Sequence, residues 1–200
     1  MFFVVVNLTY AYFSSHAYIA DINESTGTID ILIQKNIAYT KTSIVNGGES
    51  TVTIGTSTTV LPGDTLTLAG TLENKGERKC YAILELIVTA KKTSATTYET
   101  IDKLYSFDGY TFYSYDGITL TAYDADGETT ALTIEAPNAD KDNTYTSDFE
   151  LSYIFDGNTF DDDYKNSEVK YTLSAYAIQE SKIAAETATT KLLENALADD

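Results

Sequence analysis

The sequence predicts an all-β chain, an Ig-like antiparallel β-sandwich with one short C-terminal helix. Three observations carry this. Apolar and polar residues alternate with a period of two far more often than 3.6, in segments rich in Thr, Val, Ile, Tyr and Phe. Gly-containing turn signals separate those segments at short intervals. The 200 residues, 43% of them hydrophobic, have only two prolines, no low-complexity linker and no fixed repeat, so one domain with one good core is expected.

The alternating segments are 28–33, 51–54, 65–72, 82–88, 118–123, 131–134, 149–155 and 169–178. Between them lie Asn46-Gly47-Gly48, Pro62-Gly63-Asp64, Asn74-Lys75-Gly76, Asp108-Gly109, Asp116-Gly117, Asp126-Gly127 and Asp156-Gly157-Asn158. Eight or more short strands at this spacing point to a sandwich. Only the C-terminus departs from the pattern. From about residue 182 to 197, Ala185, Ala188, Leu192 and Ala196 recur at helical spacing, Leu193 and Leu197 widen the stripe, and Ser181 is available as N-cap. The apolar face of this helix is expected to dock on the edge of the sandwich.

At the other end, residues 2–6 form an apolar stretch too short to span a bilayer, which needs about 20 residues. Thr9 and Ala11 after it fit a small-x-small cleavage rule, with Ala17 as a second position. No basic residue precedes the stretch, so it reads either as the remnant of an export signal or as a core strand. The expected organisation is a signal remnant over residues 1–11, an N-terminal arm over 12–20 and a single sandwich over 21–200. No membrane span is expected after processing.

Charge narrows the partners. Thirteen basic and 30 acidic residues leave a net charge of −17, and a basic patch able to displace counterions from phosphates is missing, so nucleic acid is excluded as an expected partner. Residues 1–100 carry 7 basic and 9 acidic side chains, and residues 101–200 carry 6 and 21. The second half would therefore meet cations or basic partners, or simply be a solvated surface kept soluble by repulsion. Cys80 is the only cysteine, so an intramolecular disulfide is impossible, and its place in an apolar run marks it as a buried hydrophobe.

Three segments, residues 8–15, 61–76 and 173–193, resemble in this order segments of the TasA/camelysin group of secreted Gram-positive matrix proteins. Leu8-Thr9-Tyr10-Ala11-Tyr12-Phe13-Ser14-Ser15 is similar to the group's signal-peptide exit. Leu61-Pro62-Gly63-Asp64, the alternating run Thr65-Leu66-Thr67-Leu68-Ala69-Gly70-Thr71-Leu72 and Glu73-Asn74-Lys75-Gly76 are similar to its "PGD, strand, N-x-G" hairpin. Leu173-Ser174-Ala175-Tyr176-Ala177-Ile178-Gln179 and the Ala-rich stretch ending in Leu192-Leu193 resemble its last strand and trailing helix. Residues 93–163 carry no such likeness. The resemblance implies a jelly-roll-like sandwich, export through a dedicated signal peptidase, and polymerisation into biofilm matrix fibres at the cell surface. In the TasA type of assembly, the N-terminal segment of one subunit enters the sheet of the next.

The residues give that mechanism a physical basis of their own. An arm over residues 12–20 is competent to form a strand and could supply main-chain hydrogen bonds to a neighbour's exposed edge. Tyr12, Phe13, Ser15, Ala17 and Ile19 are its candidate assembly residues; Phe13, Ser15, Ala17 and Ile19 share one side of the strand, with Tyr12 on the other. The alternative is the first strand of the chain's own sheet. Head-to-tail donation does not close, so it would make the chain its own partner in a homopolymer, with other matrix or cell-wall components as further partners.

Enzymatic chemistry finds little purchase. His16 is the only histidine, so no H-E-x-x-H zinc pair exists, and no G-x-S-x-G elbow accompanies a serine. Phosphate-cradling Gly-rich loops are absent, and acidic residues for glycoside hydrolysis are abundant without forming a constellation. The chain is expected not to be an enzyme and to need no cofactor. Calcium is the one ion kept open: Asp124, Asp126 and Glu128 surround a turn, Asp140 flanks Lys141 with Asp142, and Asp161-Asp162-Asp163 forms a run, none with the full EF-hand spacing. Among the sixteen tyrosines, Tyr110, Tyr113 and Tyr115 alternate with polar residues beside Asp-Gly turns and are candidate ligand contacts, or half-buried strand packing. Two functions remain: a structural fibre subunit, and a monomeric cell-surface adhesion or ligand-binding domain using the Tyr/Asp-rich loops. A secreted hydrolase is a third, which two facing carboxylates in a pocket would favour.

Overall fold

The structure, a computed structural model, describes residues 14–18, 31–34, 38–45, 47–55, 57–76, 79–115, 120–122, 132–134, 145–164, 167–180 and 184–198. These form thirteen strands, one 3-10 turn and one α-helix. The strands are β1 (Ser14–Tyr18), β2 (Ile31–Ile33), β3 (Ala38–Val45), β4 (Gly48–Thr53), β5 (Ser57–Thr59), β6 (Thr65–Asn74), β7 (Cys80–Ala90), β8 (Glu99–Ser106), β9 (Tyr113–Tyr115), β10 (Leu120–Ala122), β11 (Leu132–Ile134), β12 (Thr146–Ile154) and β13 (Glu168–Gln179). The helix α1 spans Ala185–Ala198.

All pairings are antiparallel. An eight-stranded sheet runs β1-β13-β7-β8-β9-β10, with β5 beside β1 on β13 and β11 beside β8 on β7. A five-stranded sheet runs β12-β6-β3-β4, with β2 also on β6. Alternation along β6 and β12 explains their placement: Leu66, Leu68 and Leu72, with Phe149, Leu151 and Tyr153, turn inward while their neighbours face water. From the other sheet Leu84, Leu86, Val88, Leu173, Ala175 and Ala177 meet them, closing the core of an antiparallel sandwich.

β7 reads as a nearly continuous buried run because both of its faces are covered. Its even-numbered residues enter the sandwich core, whereas Tyr81 and Ile83 join Tyr105, Phe107, Tyr113, Tyr176 and Ile178 in a second core beneath α1. Ala188, Leu192, Leu193 and Ala196 supply the helical side of that core, and Leu197 lies 40% exposed at its rim. The helix therefore docks on the outer face of the eight-stranded sheet and not on the sandwich edge. The reason is chemical: Tyr81 and Ile83 of β7, Tyr105 of β8, and Tyr176 and Ile178 of β13 face outward there and would otherwise stand in water. Burying each leucine contributes roughly 1.5–3 kcal/mol. The Ala184 carbonyl accepts the first helical bond, from Ala188 N; Ser181 lies outside the described residues.

The turn chemistry also has its expected local causes. In Leu61-Pro62-Gly63-Asp64 the Asp64 carboxylate accepts the Leu61 N–H at 2.9 Å, and Gly63 sits at φ 90°. Asn74 Oδ1 accepts the Gly76 N–H at 2.9 Å. The strand between these turns does not form a hairpin with its successor: β6 belongs to the five-stranded sheet and β7 to the eight-stranded one, so Asn74-Lys75-Gly76 leads the chain from one layer to the other. Among the described residues no helix is long and apolar enough to cross a membrane.

Candidate functional site

The outer lane of β13 is shared by two short strands. β5 pairs with Glu168–Lys170 through Thr59, Thr58 and Ser57. β1 pairs further along, with Ser14 opposite Ile178, Ser15 opposite Ala177, His16 opposite Tyr176, Ala17 opposite Ala175 and Tyr18 opposite Ser174. β1 is thus an edge strand of the large sheet.

The hydrogen-bond phase of this lane follows from the opposite side of β13. Glu180 N donates to Lys79 O at 3.1 Å, which makes those two a hydrogen-bonded pair. Alternation along an antiparallel ladder then directs the main-chain groups of Ala175 and Ala177 away from β7 and toward β1. Their partners are Ala17 and Ser15, two of the assembly residues read from sequence. Both receiving alanines are fully buried and small, so main chain dominates what the slot offers a strand. Tyr12, Phe13 and Ile19 lie outside the described residues.

Beneath α1, close to this lane, lies a polar cluster that the sequence reading missed. Glu85 is 2% exposed on the helix-covered face of β7, opposite Ser174 on β13 and Tyr105 on β8. Tyr176 Oη donates to Glu85 Oε2 at 3.1 Å, and Lys103 Nζ stands 3.2 Å from Oε1. The same ammonium reaches the Ala196 carbonyl at 3.3 Å, near the C-terminus of α1, where a cation complements the helix dipole. The signal was legible in one residue: a carboxylate inside an otherwise apolar run must find partners if that run is buried.

Other carboxylates likewise bind tyrosines. Tyr153 donates to Asp102 across the two sheets, Tyr164 donates to Glu99, and Tyr98 donates to Glu168 at 2.7 Å. Burial pushes the Asp102 carboxyl above the ordinary aspartate range; the Tyr153 bond opposes this and the nearby Asp156 charge adds to it. Asp156 is engaged with the N–H and side-chain amide of Asn158 at 3.2 Å. With Tyr176, four tyrosines thus donate to carboxylates, two of them, Tyr153 and Tyr176, joining one strand to another.

The three candidate ligand tyrosines do not share a surface. Tyr110 is 64% exposed, next to an Asp108 carboxylate that accepts its N–H at 2.8 Å. Tyr113 is buried, its ring 5.4 Å from Phe107, and Tyr115 packs on the edge of the core beneath α1. Of the acidic groups considered for calcium, Asp124, Asp126, Glu128, Asp140 and Asp142 lie outside the described residues. Asp161 accepts the Asp163 N–H at 2.9 Å at a 3-10 turn, which is ordinary Asp-turn chemistry. Among the described residues no group of three His, Cys, Asp or Glu side chains is placed to hold a metal ion.

Comparison of the chain with protein-family models, curated proteins and solved structures found no match. Its functional reading therefore rests on its own residues and geometry.

Proposed function

We propose that this protein is a structural subunit of an extracellular matrix or surface fibre, built by transfer of its N-terminal strand to the β13 edge of the next copy. The observation that carries the reading is the place of β1: an N-terminal segment occupying an edge lane of the large sheet, paired with Ser174–Ile178. Pairing within one copy and pairing between copies use the same ladder, so exchange costs little in hydrogen bonds. Twelve residues separate Tyr18 from Ile31 in the sequence, and an extended chain of that length spans about 40 Å, enough to reach a neighbour. Each acceptor keeps its own strand to donate, so the contact propagates into a filament.

The test compares the full chain, an Ala17→Pro variant and a chain starting at Asp21, by electron microscopy and size exclusion. Proline at position 17 removes an N–H directed at Ala175. Filaments should form from the full chain and disappear in both altered forms, and a peptide of residues 12–20 should bind the shortened chain. Filaments that persist in both altered forms, or a full chain that stays monomeric throughout, would sink the reading.

A second reading, a monomeric adhesion or ligand-binding domain, is favoured by one observation. Tyr110 presents an exposed aromatic ring from a turn fixed by three hydrogen bonds to Asp108 Oδ1, from Tyr110 N, Thr111 N and Ser106 Oγ. Carbohydrate-array binding lost on Tyr110→Ala would support it.

A further inference from the structure

The five-stranded sheet carries an edge that no described residue pairs with. All six residues of β4, Gly-Glu-Ser-Thr-Val-Thr, are exposed, and the strand ends the five-stranded sheet. Its pairing with β3 runs without a bulge from Thr40 opposite Thr53 to Val45 opposite Gly48. Soluble proteins usually blunt such edges with lysine, proline, a bulge or a cover; β4 has no lysine, proline or bulge, and among the described residues nothing pairs with its outer side. At the other edge of the same sheet Gly109 O accepts the Glu150 N–H on the outer side of β12.

The direction of the main-chain groups of β4 can be fixed. Ile54 N donates to Tyr39 O at 2.9 Å, so those residues are a hydrogen-bonded pair just beyond the strand. Alternation then points the even-numbered residues of β4 at β3, and the N–H and C=O groups of Glu49, Thr51 and Thr53 outward. The Thr42 and Thr51 hydroxyls approach to 2.8 Å, as the closer side chains of a non-hydrogen-bonded pair allow.

We propose that β4 is a second self-association surface, joining two copies of this chain edge to edge about a two-fold axis through Thr51. In that register Thr51 faces Thr51 of the second copy, Glu49 faces Thr53, and Ser50 faces Val52. Outward groups meet outward groups, giving about six main-chain bonds. Two features select a copy of this chain as the occupant. The strand's single charge, Glu49, never faces itself. The hairpin over residues 38–55 carries only one lysine, paired with Asp64, and one glutamate, so it is sparsely charged on a chain of net charge −17. Two copies that repel elsewhere can approach here. The contact is isologous and independent of β1, so it holds whether or not strand transfer occurs; if both operate, it ties filaments side by side.

Disulfide trapping in the full chain tests this, because the native thiol Cys80 is fully buried. Cα atoms of a hydrogen-bonded antiparallel pair lie about 5.5 Å apart, within disulfide range. Thr51→Cys should form covalent dimers under mild oxidation about tenfold or more faster than Tyr110→Cys, an exposed control. Glu49→Cys and Thr53→Cys should each link poorly alone and readily when mixed, which reports the register. Equal rates for Thr51→Cys and Tyr110→Cys overturn the proposal and leave the edge to a strand of another protein. Glu49→Cys linking to itself as fast as it links to Thr53→Cys also overturns it.

Discussion

The Lys103 ammonium stands between the Glu85 carboxylate, 3.2 Å away, and the Ala196 carbonyl at the end of α1, 3.3 Å away. One side chain thereby ties a buried charge in the sheet to the helix that buries it. Truncating Lys103 leaves Glu85 charged without its cation in a site 2% exposed. Lys103→Met is expected to cost about 3 kcal/mol in urea unfolding. Adding Glu85→Gln, which keeps an acceptor for the Tyr176 hydroxyl, should restore most of that loss. A double variant as unstable as the single one would show that Lys103 acts through packing instead.

Gly109 fixes the turn that meets β12. It adopts φ 82°, and a Cβ there would lie 3.2 Å from Phe149 Cβ and 3.4 Å from Asp148 O. Gly63 has a similar φ of 90°, with nothing within 4 Å of a Cβ. Alanine at Gly63 should therefore cost about 1 kcal/mol from backbone strain alone, and alanine at Gly109 about 2–3 kcal/mol. Thermal or urea unfolding of the two variants checks the order, and equal losses would remove the steric argument.

Particular residues show what could be read from the sequence. β6, β12 and β13 were legible because each places uncharged, mostly apolar residues on its inner face at a period of two. Two longer strands, β3 and β8, were missed for a shared reason. Lys41 bridges to the buried Asp64 at 3.3 Å, and Lys103 bridges to Glu85, so each strand carries a lysine whose partner is remote in sequence. In these two strands the lysine breaks the alternation, whereas the run around Glu85 in β7 is apolar enough to be read despite its charge. β5, Ser-Thr-Thr, has no apolar residue at all and exists because β13 offers it an edge. At the N-terminus the strand over residues 14–18 was legible, as the first strand of the chain's own sheet or as a donor arm, while its pairing with β13 and the open edge of β4 required the topology.

Asp102 supplies a pH dependence with a defined sign. Its carboxyl is raised in the folded protein, so its contribution is fullest below the unfolded value of about 3.9 and is lost as pH rises through the folded value. Asp102→Asn keeps an oxygen acceptor for Tyr153 and removes the charge. The variant should gain stability relative to the native chain between about pH 3 and pH 7. Urea midpoints at the two pH values measure this, and a gap that narrows toward neutral pH would contradict it.

Cys80 extends the same reasoning to alkaline conditions and to reactivity. It is fully buried, and burial pushes its thiol up to about 12, with the Glu180 charge adding to the shift. The attacking species in labelling is the thiolate, so the folded chain should react negligibly with a thiol reagent at neutral pH and stoichiometrically after unfolding. Above the unfolded value of about 8.5 the unfolded state loses a proton that the folded state keeps. Stability present below that value should therefore decline as pH rises toward 12, and Cys80→Ala should flatten part of the decline at the cost of a small cavity. Labelling rates followed across urea concentrations would report the opening equilibrium of the β7 core. Rapid labelling without denaturant would mean that β7 opens locally and that the two cores on its faces do not unfold together.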